Sequence, residues 1–120
     1  MNAQRLCIYL GERDKSAEGR PLAEAIVHQA HQRGLAGATV FKGISGFGAN
    51  SRVHTAKILR LSEDLPLLVE IVDLPDRIAA FIPWLEDVIG EGLVTLEDVR
   101  VVLSRPRHAG FDASGAGPAR

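Results

Sequence analysis

The residues best placed to do chemistry lie in Gly43-Ile44-Ser45-Gly46-Phe47-Gly48 and the polar stretch after it, with Lys42, Ser51, Arg52, His54 and Lys57 close by. Glycines let a backbone adopt positive φ and bring several N–H groups against one anion, which is the physics of phosphate-binding loops. The same glycines also suit a plain tight loop. No Gly-Lys-Ser/Thr follows at Walker spacing, so the segment carries no signature of nucleotide hydrolysis.

Other reactive side chains carry weaker signals. His54 could act as a general base, yet no Ser or Cys nucleophile with an orienting carboxylate can be identified around it. His28 and His31 stand three apart and could chelate a metal, but Glu24 and Gln32 share their helix face, the pattern of a solvated surface. Glu70 interrupts an apolar strand and either pairs with an arginine across a sheet or interface or sits exposed. Trp84 falls off its helix's apolar stripe and suits an interface anchor or simple partial burial. No residue set amounts to a catalytic constellation, and the chain reads as a non-enzyme.

These residues need a frame to hold them. Leu6 to Leu10 reads as a strand, and from Pro21 the positions Leu22, Ala25, Ile26 and Ala30 recur at helical spacing, with Gly34 as the stop. Ala38 to Ile44 is a second strand leading into the glycine loop, His54 to Leu61 could continue as a ribbon, and Leu65 to Val72 is a third strand. Asp73 suits the N-cap of a second helix whose stripe is Leu74, Ile78, Phe81, Ile82, Leu85 and Ile89, with a kink expected near Ala79 to Pro83. Gly90 and Gly92 end that helix. Leu93 to Thr95 and Val99 to Leu103 supply one or two short final strands.

The order is therefore βαββαβ, an α+β, ferredoxin-like sandwich: an antiparallel sheet with two helices on one face. One domain spans residues 1–103. Residues 104–120 are mostly Gly, Ala, Pro, Ser and Arg and are expected to form a flexible tail.

Apolar residues make up 46% of the 120 and charged residues 24%, the proportions of an ordinary globular domain. The net charge of −1 offers no basic field for nucleic acid, and 5% aromatics supply no stacking platform for RNA. The single Cys7 cannot close an internal disulfide and sits in an apolar run. With no export signal after Met1 and no apolar run of about 20 residues, the expected location is cytoplasmic.

Two helices cover one face of a four-stranded sheet, so a monomer should show polar residues on the other. Here Leu67, Val69 and Ile71 oppose Leu68, Glu70 and Val72, and Leu6, Ile8 and Leu10 oppose Cys7 and Tyr9, which makes both faces largely apolar. An uncovered apolar face of several hundred Å² normally marks an interface, so copies of the chain are expected to associate.

Across residues 6–103 the chain resembles the family called domain of unknown function 190, related to the PII-like signalling proteins. The resemblance is carried by Gly34-Leu35-Ala36-Gly37-Ala38-Thr39-Val40, Gly43-Ile44-Ser45-Gly46-Phe47-Gly48, His54-Thr55, Ile58-Leu59-Arg60-Leu61-Ser62, Asp64-Leu65-Pro66 and Gly92-Leu93-Val94-Thr95. It implies a homotrimer with sheets facing its axis and an adenine nucleotide (AMP, ADP or ATP) or similar small anionic ligand in clefts between subunits. It also implies signalling through the loop 46–55 to a regulated partner protein or membrane transporter.

In PII proteins a Gly-Phe-Gly segment lines the cleft, matched by Gly46-Phe47-Gly48. A glycine-rich turn before their fourth strand corresponds to Gly90 and Gly92, and a basic residue on the last strand has Arg100 as its counterpart. The loop here is shorter and lacks the tyrosine that some PII proteins have modified. The candidate ligand set is thus Lys42, Gly43, Ser45, Gly46, Phe47, Gly48, Ser51, Arg52, His54, Gly90, Gly92 and Arg100. The other readings are a small enzyme acting on a phosphorylated substrate and a structural or adaptor oligomer without ligand.

Overall fold

A computed structural model describes residues 1–47 and 64–105. Its elements are β1 (Asn2–Gly11), α1 (Leu22–Gln32), β2 (Thr39–Lys42), β3 (Pro66–Asp73), α2 (Pro75–Val88) and β4 (Leu93–Arg100). The strands form one antiparallel sheet in the order β2-β3-β1-β4, the ferredoxin-like arrangement expected.

Alternation along the strands sorts the sheet into two faces. Leu6, Ile8 and Leu10 of β1 and Val69 and Ile71 of β3 are buried beneath Leu22, Ile26 and Ala30 of α1 and Ile78, Phe81 and Leu85 of α2. α1 packs on β3 and α2 on β1, so both helices cover the two central strands and leave the edge strands uncovered. α1 ends as its glycine predicts: Gly34 N–H donates to the carbonyl of His31 and Leu35 N–H to that of Ala30, the paired bonds of a Schellman motif.

Several expectations are refined. β1 starts at Asn2, well before Leu6, because its first half pairs with β4. β4 is one strand of eight residues, not two short ones. α2 runs unbroken through Pro83, with Pro75 in its first turn.

Asp73 is not the helix cap. The cap is Leu74, and Asp73, the last residue of β3, is completely buried. Its Oδ1 accepts from Leu74 N–H (2.7 Å) and its Oδ2 from Ala36 N–H (2.9 Å), while Arg77 Nε lies 3.3 Å from Oδ2. One carboxylate thus ties the end of β3, the start of α2 and the α1–β2 connection together.

The face away from the helices is apolar in one band only, and the row beside it is largely polar, where an apolar face was expected. Paired residues form rows across it: Phe41, Leu68, Tyr9 and Leu93 in one, then Thr39, Glu70, Cys7 and Thr95 in the next. Phe41, Tyr9 and Leu93 are 49%, 41% and 58% exposed, an apolar band open to water. Cys7 is buried within this face, flanked by β3 and β4. Glu70 pairs across the sheet as one of its readings held. Arg5 Nε meets Glu70 Oε2 at 2.8 Å and its Nη1 meets Glu97 Oε1 at 2.6 Å, and the Glu70 hydrogen bond, foremost among the causes, holds the guanidinium's pKa above its ordinary value.

The ribbon suggested for His54 to Leu61 lies outside the described residues. So does all but the first two residues of the tail suggested for 104–120.

Candidate functional site

β1 and β2 end, and β3 and β4 begin, at one end of the sheet, so the connections around Gly11, Lys42–Phe47, Asp64–Pro66 and Gly90–Gly92 all gather there. The glycine turn after β2 is laid against the start of β3. Gly43 N–H donates to the Pro66 carbonyl at 2.8 Å, and a Cβ on Gly43 would stand 2.7 Å from Pro66 Cγ, so any larger residue would push the turn off the strand. Gly46 has φ 145°, a backbone conformation that favours glycine.

Lys42 closes this edge. Its Nζ meets Glu12 Oε2 at 2.5 Å, tying the end of β2 to the connection after β1. That connection is itself fastened: Glu12 N–H donates to the Leu65 carbonyl (2.9 Å) and Arg13 N–H to Asp64 Oδ1 (2.8 Å). Beyond Gly43, Ile44 and Phe47 project into solvent, 82% and 68% exposed.

The second glycine turn stands at the same end of the sheet. Gly92 has φ 155°, and a Cβ there would meet the Tyr9 carbonyl oxygen at 2.9 Å and Leu10 Cδ2 at 3.3 Å. Glycine is therefore required where α2 hands over to β4. Gly90 has open space around its Cα.

The strand order separates these two turns. β2 and β4 are opposite edges, three strand spacings apart, or about 14 Å at roughly 4.8 Å per step. Arg100 is further away still. It pairs with Asn2 at the other end of β4, seven residues or roughly 24 Å from Leu93. Within one chain, then, Lys42, Gly43, Ser45, Gly46 and Phe47 form one group, Gly90 and Gly92 a second, and Arg100 stands alone. Gly48, Ser51, Arg52 and His54 lie outside the described residues.

The structure also shows a cleft that the sequence did not suggest. Because α1 sits over β3, the helix side of β2 is open, and a cavity of about 730 Å³ lies between α1 and β2. Val27, Val40 and Leu67 line it with Glu12, Arg20, Glu24, His28 and His31. The histidines assigned to a plain solvated helix face thus border a concave surface next to Lys42. Only the position of β2 beside β3 makes that cleft, and no local pattern encodes it. Among the described residues no group of three or more His, Cys, Asp or Glu side chains is placed to hold a metal. No described helix is long and apolar enough to cross a membrane.

Comparison with known proteins accords with this fold. The fold is that of CPII, a nitrogen regulatory PII-like protein from Thiomonas intermedia K12. Its structure bound to ADP, AMP and bicarbonate is 17% identical with a TM-score of 0.53, and that bound to ADP and bicarbonate is 18% identical with a TM-score of 0.50. Each match covers 84% of this chain and 89% of the other. Sequence likeness is closer elsewhere. A UPF0166 protein from Aquifex aeolicus is 42% identical over 74% of this chain and 84% of its own length. One from Methanocaldococcus jannaschii is 39% identical over 84% and 93%. The model of the DUF190 family, described as "Uncharacterized ACR", matches residues 3–101, nearly the whole of the described sheet and both helices. The chain belongs to the DUF190 family.

Proposed function

We propose that this protein is a homo-oligomeric regulatory binding protein, taking an adenine nucleotide or related small anion in clefts between copies. The observation that carries this reading is the placement of the two glycine turns at one end of the sheet but on opposite edges. In a head-to-tail association, the β2 edge of one copy faces the β4 edge of the next. Since β2 and β4 run in opposite directions within the sheet, such a seam continues the antiparallel alternation. It sets Gly43–Phe47 of one copy beside Gly90–Gly92 of its neighbour. The site is then complete only in the assembly.

Three further features support it. Both edge strands expose apolar residues, Val40 and Phe41 on β2 and Leu93, Val94 and Leu96 on β4, as expected of surfaces that meet a partner. Head-to-tail contacts close into a ring where the rotation between copies allows it, and a ring of three with the band of Phe41, Leu68, Tyr9 and Leu93 facing its axis would bury that band as well. The exposed Phe47 ring offers a base a stacking partner, and Lys42 lies one residue from the turn's backbone amides. Binding would reorder the surface around Gly46 and Phe47 and so change what a partner protein or membrane transporter meets.

CPII, which has this fold, has been solved with ADP and AMP, so those nucleotides are the first to test. Titration calorimetry of the full chain with AMP, ADP, ATP and cyclic AMP should show saturable binding with whole-number occupancy per seam. No heat and no thermal shift with any of them at millimolar concentration would overturn the reading.

A further inference from the structure

A second cavity lies in the helical layer, at the end of the sheet away from the glycine turns. It measures about 180 Å³ and is lined by Arg33, Leu35, Arg77, Ala80 and Phe81. Sites for nucleotide-sized ligands run from about 300 Å³ upward, so this one holds no more than a side chain or a small anion.

Its two arginines are differently employed. Arg77 is fixed by the buried carboxylate of Asp73 and donates to the Gly34 carbonyl, so Asp73 balances its charge. Arg33 has no carboxylate within ion-pair distance among the described residues. Its guanidinium instead lies over the rings of Phe81 (5.9 Å) and Trp84 (6.0 Å), which are themselves stacked at 5.4 Å. These cation–π contacts favour a guanidinium that also lines the cavity, and an arginine fork is the group best suited to recognise a carboxylate. Ala79 and Ala80 are exposed and small, so no long side chain shields the approach from α2. Arginine and tryptophan together are also the residues that most often dominate protein interfaces.

We infer that this patch docks an acidic segment of a partner protein, one Asp or Glu side chain entering the cavity against Arg33 and its apolar stem resting on the partly exposed Trp84. The patch is on the helical layer, so it stays outward when copies associate through the sheet and its edges. It is independent of the ligand reading above.

Trp84 is the chain's only tryptophan, which makes its fluorescence a direct report from the patch. The probe is a capped hexapeptide alternating glutamate and leucine, with its lysine-for-glutamate counterpart as control. The acidic peptide should shift Trp84 emission saturably and less strongly at high salt; the lysine peptide should not. Arg33→Gln should weaken the acidic peptide by about tenfold or more, as expected for losing a charge-assisted bond, while AMP titrations stay unchanged and the urea midpoint falls by no more than about 0.5 M from the lost cation–π contacts. Arg33→Lys, which keeps the charge but loses the fork, should fall between. Unresponsive Trp84 emission at millimolar acidic peptide, or equal binding by Arg33→Gln, would overturn the inference.

Discussion

Asp73 offers the sharpest test of the structure, because its two possible roles predict different energies. A helix-capping residue at this position would contribute about 0.5–2 kcal/mol, and serine would replace it almost without loss. The structure gives it a larger task. Its completely buried carboxylate accepts from two backbone N–H groups, at 2.7 and 2.9 Å, and neutralises Arg77, itself only 19% exposed. Removing it orphans two donors and takes away the buried carboxylate that Arg77 meets. Breaking a buried pair of this kind costs roughly 3–5 kcal/mol, a large fraction of an ordinary domain's stability.

Asp73→Ala and Asp73→Ser should therefore both be strongly destabilised. Asp73→Asn should fare little better, since one of the two oxygens that now accept would become an NH₂ facing a donor. With a urea dependence of about 2 kcal/mol per molar for a chain of this size, the midpoint should fall by about 2 M. The measurement is urea denaturation followed by circular dichroism, at one protein concentration, because assembly would otherwise move the midpoint. A serine variant within about 0.5 M of the parent would show that Asp73 is no more than a cap, and that the link between β3, α2 and the α1–β2 connection is not a structural hub.

Two further outcomes follow from the sheet. Gly92→Ala should lose about 1–3 kcal/mol, from a backbone at φ 155° and a methyl 2.9 Å from the Tyr9 carbonyl, whereas Gly90→Ala, with open space around it, should shift the urea midpoint by less than about 0.5 kcal/mol equivalent; equal effects would contradict the turn described here. Tyr9→Asp and Leu93→Asp each place a charge in the exposed apolar band, and should convert the proposed assembly to folded monomer in sedimentation velocity at micromolar concentration, while an unchanged oligomer would remove this face from the proposed interface.

Much of the fold was legible because the relevant information is local. Alternation in Leu67 to Val72 places Leu67, Val69 and Ile71 on one side whatever the strand pairs with. Helical spacing in Leu22, Ile26 and Ala30 selects the buried face of α1 in the same way. Gly34 announces the end of α1 through its own backbone. The boundary errors are those expected of local reading: β1 begins four residues early and β4 is continuous because each is the other's partner, a fact visible in neither segment alone.

The sequence by itself determined the order of elements, the apolar sheet face beneath the helices, and the positions of the glycine turns. Each of these is a property of a few neighbouring residues. Only the tertiary structure decided which of those turns stand together. Strand order β2-β3-β1-β4 sets the two glycine turns on opposite edges and sends Arg100 to the far end, so the described members of the candidate ligand set fall into three groups within a single chain. The same order makes Asp73 a hub, pairs Arg5 with Glu70 and Glu97, and lays Arg33 over Phe81 and Trp84. Such contacts join residues tens of positions apart, and their partners are chosen by the packing of helices on the sheet, which no short window of sequence contains.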